Sequence, residues 1–260
     1  MTSHRDRHKR QAVESHSAQA DLFAARYRDL ASDPYSSCFN YSRHRLEVLL
    51  DRLLPRDGRG LRLLDVGCGT GHHLAWARRR GFEASGVDGS PEMLARAAVL
   101  NPGLELQLAD VEATPFSSES FDVVLCFEVL RYLPSSAGCV AEIARLLRLG
   151  GTCLVTASPL LNLNAYPIVN RLATRLRIGN LVRLKQFFHT SRGLRRDFTT
   201  SGFGRVDVHG VYLGPINWVE RLAPWALSRV LRAWEAVDAR AADQPLLRDF
   251  SGMLLVHAFR

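Results

Sequence analysis

No run of about 18 apolar residues occurs in this 260-residue chain, which excludes a membrane-crossing helix. Met1 to Arg7 contain no apolar stretch either, so no secretory leader is expected. The five cysteines (Cys38, Cys68, Cys126, Cys139 and Cys153) form no C-x-x-C pair. That scatter argues against a zinc site, a disulfide framework and a cysteine-held iron–sulfur centre. They are expected to be small apolar core residues in a reducing cytoplasm. Lysine is scarce: of 34 basic residues only Lys9 and Lys185 are not arginine. Acidic residues are missing from Ala157 to Arg196, where Arg171, Arg175, Arg177, Arg183, Lys185, Arg192, Arg195 and Arg196 all fall.

What is present is a 47% apolar composition, enough to bury the core of one large α/β domain, with a net charge of +8. Residues 63–71 read Leu-Leu-Asp-Val-Gly-Cys-Gly-Thr-Gly. The apolar part has the pattern of a buried parallel strand. Gly67, Gly69 and Gly71 then make a turn almost without side chains, against which a ligand can lie. The helix expected from about His72 to Arg80 would aim its first amides at that ligand. The spacing G-x-G-x-G is neither the dinucleotide fingerprint nor a phosphate-binding P-loop, which needs a Lys-Ser/Thr pair after its last glycine.

Two further strand ends carry acids. Phe82 to Asp88 closes on Asp88-Gly89-Ser90-Pro91, with Ser90 as a helix cap and Pro91 at the first helical position. An acid about 20 residues past such a turn suits the two hydroxyls of a ribose. Leu104, Leu106 and Leu108 alternate as in a strand that ends at Ala109-Asp110-Val111. A fourth strand is expected from Phe121 to about Phe127, followed by a helix to about Leu149, a Gly150-Gly151 stop and a fifth strand from Thr152 to Thr156.

In these residues the chain resembles the class I S-adenosylmethionine (SAM) dependent methyltransferases. Asp65 and the glycines resemble the family's D-x-G-x-G-x-G. Asp88 to Leu94 resembles D-x-S-x-x-M-L, and Pro115 to Val124 resembles P-F-x-x-x-x-F-D-x-V. The resemblance covers about residues 61–157. It implies an α/β, Rossmann-like, seven-stranded sheet, mostly parallel with an antiparallel last strand and helices on both faces. It further implies SAM as cofactor, S-adenosylhomocysteine as product, and no metal. The cofactor residues it implies are Asp65, Gly67, Cys68, Gly69, Gly71, Asp88, Gly89, Met93, Asp110, Val111 and Phe127. Asp110 is placed at the adenine amino group and Met93 over the adenine. Phe23 to Tyr27 resembles the family's F-x-x-x-Y segment, which nominates Tyr27 beside the methionine part; Arg45 is the candidate for its carboxylate. The group most resembled contains ubiquinone- and menaquinone-pathway methyltransferases.

The expected organisation is a disordered basic N-terminus (1–18) and one domain (19–260). Within the domain lie cover helices (19–60), a cofactor core (61–157), a lid or acceptor insertion (158–190) and a helical insertion (214–250) before the last strand. In the lid, Ile168, Leu172 and Leu176 are expected on one helix side, with Arg171 and Arg175 on another. In the second insertion Trp218, Leu222, Trp225, Leu231 and Trp234 form a candidate apolar stripe, either of a helix packed on the main core or of an acceptor-pocket wall or membrane-surface face.

Methyl transfer from a sulfonium needs alignment, exclusion of water and a place for a proton, so no fixed catalytic constellation is required. Many relatives carry V-L-x-H-L after strand four, where this chain has Tyr132. A neutral histidine can act as base near pH 7, whereas phenols titrate near 10. Tyr132, Glu128 and His189 are the catalytic candidates, with His189 ranked first as base; His72 and His73 are explained by a polar helix start. The expected acceptor is small or lipid-like, methylated on oxygen, nitrogen or carbon, and the apolar and arginine-rich insertions favour peripheral association with a membrane surface. The alternatives are RNA modification, disfavoured because no RNA-binding module is visible, and a non-catalytic SAM-binding scaffold. The chain is expected in the cytoplasm or at the inner membrane surface, as a monomer or homodimer.

Overall fold

The computed structural model describes residues 4–176, 184–214 and 216–260. Seven strands build one sheet: β1 (Arg62–Val66), β2 (Glu83–Asp88), β3 (Glu105–Leu108), β4 (Phe121–Cys126), β5 (Leu147–Ala157), β6 (Arg205–Gly210) and β7 (Leu254–Phe259). Their order is β3-β2-β1-β4-β5-β7-β6. Strands β1 to β5 are parallel, and β7 runs antiparallel between β5 and β6. This is the Rossmann-like sheet expected from the motifs. The winding reverses between β1 and β4, which leaves a crevice outside their carboxyl ends.

Ten helices are described: α1 (His4–Ser17), α2 (Ala20–Ser32), α3 (Cys38–Leu53), α4 (His72–Arg79), α5 (Pro91–Leu100), α6 (Ala137–Leu146), α7 (Tyr166–Arg175), α8 (Ser191–Thr200), α9 (Ile216–Leu222) and α10 (Leu227–Ala241). Local chemistry starts several of them. The Ser90 hydroxyl accepts from the Met93 amide at 3.1 Å and caps α5; Thr190 does the same for Gly193 in α8. Alternate residues of the central strands supply the two sides of the core. Leu64, Val66 and Val124 pack with Ile143 and Phe198 on one face. Leu63, Val123 and Leu125 pack with Leu46, Leu50 and Leu74 on the other.

Four expectations need correction. The N-terminus is helical from His4, and its contacts explain why: Lys9 pairs with Asp110 and Glu112, Ser17 bonds Ser90, and Ala12 is buried. Tertiary partners order a segment too polar to fold alone; residues 1–3 lie outside the described residues. Helix α3 begins at Cys38 rather than Ser42, because Ser37 caps it by accepting from the Asn40 amide. Helix α6 stops at Leu146, and β5 starts at Leu147 opposite Phe121. The Gly150-Gly151 pair is therefore a bulge inside the strand, where the register shifts between Phe121 and Val123, not a stop before it.

The structure adds detail to the first insertion and divides the stripe of the second. Helix α7 forms where a helix was placed, but Ile168, Leu172 and Leu176 are exposed while Asn170 and Ala173 face inward. The Asn170 amide donates to the Leu184 carbonyl and accepts from the Gln186 amide, anchoring the helix by a polar contact. Arg177 and Arg183 lie outside the described residues. In the second insertion the stripe splits. Leu231 packs with Ile216, Leu227 and Tyr41, and Trp234 donates to the Leu213 carbonyl. Trp218, Leu222 and Trp225 face outward.

Candidate functional site

A cavity of about 790 Å³ opens at the carboxyl ends of β1, β2 and β4, within the range of about 300–1,000 Å³ usual for small-molecule sites. One wall is the sheet edge. Gly67 and Gly69 have φ of +77° and +53°, and a Cβ on Gly67 would lie 2.3 Å from Val129. A Cβ on Gly69 would meet nothing, because that residue faces the open cavity. The Gly69 amide donates to Asp88 Oδ2 at 2.9 Å, and the Ser90 amide donates to Asp88 Oδ1 at 2.8 Å. Asp88 thereby ties the glycine turn to the start of α5. Burial raises its carboxyl, and those backbone amides oppose the rise.

Asp65 is the most perturbed acid. It is 1% exposed, its Oδ2 has no partner among the described residues, and burial with Asp88 nearby pushes its carboxyl up to about 8. An orphaned buried carboxylate at a cavity wall is suited to a cationic ligand group. Cys68, Gly89, Met93, Asp110, Val111 and Phe127 also line the cavity. Gly71 does not. Its carbonyl accepts from Asn101 and its Cα packs on α5, so this third glycine serves the helix contact instead of the ligand.

Helices α1 to α3 form the opposite wall. Tyr27 lines it, stacked on His72 with ring centroids 4.2 Å apart; burial raises its phenol. Arg45 does not line it. It turns away toward α10, where its guanidinium lies 3.4 Å from Asp238 and 3.5 Å from Glu235. The cavity takes Arg43 instead, with Nη2 3.4 Å from Glu128 and with Nε and Nη1 unpartnered among the described residues. Two residues along a helix turn a side chain by about 200°. Arg43 and Arg45 flank the apolar stripe of Leu46, Leu49 and Leu50 from opposite sides, so the sequence pattern does not separate them.

The catalytic candidates separate. Glu128 lines the cavity in a left-handed conformation, φ 62°, with its amide donating to Thr156. Burial would raise its carboxyl, but Arg131 and Arg43 overcome this and hold it at about 2. A carboxylate so held is a poor proton acceptor, and its role is to fix two guanidiniums. Tyr132 lines the cavity, and burial raises its phenol further from neutrality. His189 is not among the lining residues. Its amide donates to the Ser158 carbonyl and its own carbonyl accepts from Leu160, so it knits the lid to β5, while burial lowers its imidazole. His16 of α1, which sequence reasoning passed over, also lines the cavity.

The residues present fit the expected cofactor. Asp65 and the unpartnered Nε and Nη1 of Arg43 supply an anion and a cation for an amino-acid end, Gly69 supplies bare backbone, and Asp88 stands at the tip of β2. At the tip of β3, Asp110 is paired with Lys9, so the N-terminal helix reaches that end of the cavity.

Residues 64–155 match a family described as a methyltransferase domain. A ubiquinone biosynthesis O-methyltransferase of Methylocella silvestris is 31% identical over 189 residues, 70% of this chain and 74% of that protein. One of Aeromonas salmonicida is 36% identical over 116 residues, 42% of this chain; the match spans about half of that relative, 49% of its length. Among solved structures, the methyltransferase in complex with the Trm112 activator of Haloferax volcanii superposes with a TM-score of 0.63. That comparison has 19% identity and covers 94% of this chain and 96% of the other, a likeness of fold.

Proposed function

The chain belongs to the class I SAM-dependent methyltransferases, and from that premise we propose that it transfers the methyl group of SAM to a small amphiphilic acceptor. The observation that carries this reading is the pairing of Asp65, buried with an orphaned oxygen, and Arg43, with unpartnered N–H groups, in one cavity. Together they match a zwitterion. Asp65 would hold the ammonium, Arg43 the carboxylate, Asp88 the ribose hydroxyls, and the segment Leu108 to Val111 the adenine. When bound, the cofactor supplies an electrophilic methyl carbon, so positioning and exclusion of water are the protein's share of the work.

The acceptor would enter beside Tyr132, where Phe23, Phe39 and Val129 present apolar surface and Arg26 and Arg131 supply positive charge. The ubiquinone biosynthesis O-methyltransferase relatives favour an oxygen as the methylated atom. Leu160, Leu161, Ile168 and Leu172 are exposed, as are Trp218 and Trp225, and the Asn217 amide joins the two insertions by donating to Asn164 at 3.4 Å. With Arg171 and Arg175 on the same α7, this face suits an anionic bilayer from which a lipid-like acceptor could be drawn. Calorimetry with SAM and S-adenosylhomocysteine tests the cofactor assignment: binding is expected with the wild type and lost in Asp88→Ala. Absence of binding by the wild type would overturn it.

A further inference from the structure

His16 brings a histidine to the cavity from the N-terminal helix. Its Nδ1 lies 2.7 Å from the Ala12 carbonyl, one turn back on α1. A carbonyl oxygen only accepts, so Nδ1 carries the hydrogen and the neutral ring keeps its lone pair on Nε2. Nε2 has no hydrogen-bond partner among the described residues, and His16 is one of the cavity-lining side chains. Two aromatic rings hold the imidazole. Phe23 of α2 stacks on it at 5.7 Å and 14° between planes, and Tyr132 meets it edge-on at 4.7 Å and 74°. The helix itself is pinned at both ends of the relevant span, by Lys9 on Asp110 and Glu112 and by Ser17 on Ser90. A cavity-lining ring with one tautomer, two aromatic neighbours and a nitrogen unpartnered among the described residues is arranged as a proton acceptor.

We propose that His16 is the general base of the transfer. The inference rests on the methyltransferase reading above and adds the residue that takes the proton. The acceptor hydroxyl gives its proton to Nε2 as an oxygen lone pair forms the bond to the methyl carbon. The electron pair of the broken carbon–sulfur bond stays on sulfur, which becomes the neutral thioether of the product. The imidazolium then returns the proton to water. Glu128 cannot take this part while two guanidiniums hold it, and His189 lies outside the cavity lining. Tyr132, a phenol raised by burial, orients the acceptor or the imidazole.

The test uses the full chain, methyl-labelled SAM and a cell extract as the pool of acceptors, with calorimetry of S-adenosylhomocysteine alongside. His16→Gln, which keeps helix propensity, is expected to lower the labelling rate on the order of 100-fold, the low end of what a positioned base contributes. Its affinity for S-adenosylhomocysteine should stay within about threefold of wild type. Nitrogen-15 NMR of histidine-labelled protein should show the His16 ring with hydrogen on Nδ1 when neutral. The proposal is overturned if His16→Gln labels at the wild-type rate, if its loss of rate is matched by a loss of cofactor affinity, or if the hydrogen resides on Nε2. If the wild type binds S-adenosylhomocysteine yet labels nothing, the methyltransferase reading itself fails and takes this one with it.

Discussion

The two walls of the cavity are charged oppositely and held differently. The sheet wall presents Asp65, Asp88 and Asp110 at the tips of three neighbouring strands; the Gly69 and Ser90 amides hold Asp88, the Glu112 amide holds Asp110, and Asp65 keeps an unpartnered oxygen among the described residues. The helix wall presents Lys9 and Arg43, held by ion pairs to Asp110 and Glu128 far along the chain, and Arg26, which lies over the Phe39 ring of the neighbouring helix. The first wall is carried by the strands of the sheet itself. The second depends on the docking of α1 to α3, which in turn leans on the insertion after β6. A buried cluster makes that link: the Tyr41 hydroxyl donates to Asp238 at 2.6 Å, the Leu213 amide donates to its other oxygen at 2.5 Å, and Arg45 stands beside it. An enzyme built this way can keep its cofactor wall constant while the opposite wall is remade for a different acceptor.

Substitutions on the two walls should therefore fail in different ways. Gly67→Ala has the largest expected effect, since the new Cβ meets Val129 at 2.3 Å in a backbone with φ +77°. Calorimetry should show a fall in S-adenosylhomocysteine affinity on the order of 100-fold or more. Asp238→Ala leaves the Tyr41 hydroxyl and the Leu213 amide without their partner and the buried Arg45 guanidinium with Glu235 alone, and should cost about 3–5 kcal/mol of stability by denaturant titration. A Gly67→Ala protein with unaltered affinity would break the assignment of the sheet wall. An Asp238→Ala protein of full stability would break that of the helix wall.

Arg43 and Arg45 sharpen the comparison within one helix. Arg43→Leu is expected to weaken S-adenosylhomocysteine binding about tenfold and to free the Glu128 carboxyl to rise from about 2. Arg45→Met should lower the melting temperature and leave binding intact. The reverse pattern would restore Arg45 as the ligand residue.

Asp65 predicts a pH dependence of the ligand-free protein. A carboxyl is ordinarily near 4, and burial holds this one at about 8. Across that window the folded state keeps a proton that the unfolded state releases, so stability falls as pH rises from about 4 to about 8. A cationic group docked on Asp65 opposes this, so cofactor binding should expel a proton and tighten with rising pH. Melting curves of wild type and Asp65→Asn check both, since the variant should lose the trend. The smallest effect belongs to the outer face: Trp225→Ser, at a residue 81% exposed, should change stability by less than about 0.5 kcal/mol. It should nevertheless reduce sedimentation with vesicles containing phosphatidylglycerol, and unchanged sedimentation would remove the bilayer reading.

Much of the sheet wall was legible because its signals are short-range. Asp65 with its glycines, the Ser90 cap with Pro91, and the acids ending β2 and β3 each declare themselves within ten residues. Gly71 shows the limit, since the same motif put it at the ligand and packing against Asn101 put it elsewhere. The helix wall read poorly for a physical reason. Arg43 and Arg45 have identical chemistry, and only the docking angle of α3 decides which one meets the cavity. His16 lay in a segment whose composition predicts disorder, and its helix exists because Asp110, Glu112 and Ser90 wait to receive it.

The order of residues alone determined the parallel sheet, the bare turn and the acids at the strand tips, because strand periodicity, caps and glycine conformations are properties of neighbouring residues. Tertiary structure decided that Arg43 and not Arg45, and His16 and not His189, line the cavity, that Glu128 is locked between two cations, and that Trp218, Leu222 and Trp225 of the stripe look outward. Those outcomes depend on contacts between segments up to 200 residues apart, as between Tyr35 and Glu235. Apolar spacing marks the covered side of a helix, but packing decides which of the polar residues flanking it meets the cavity.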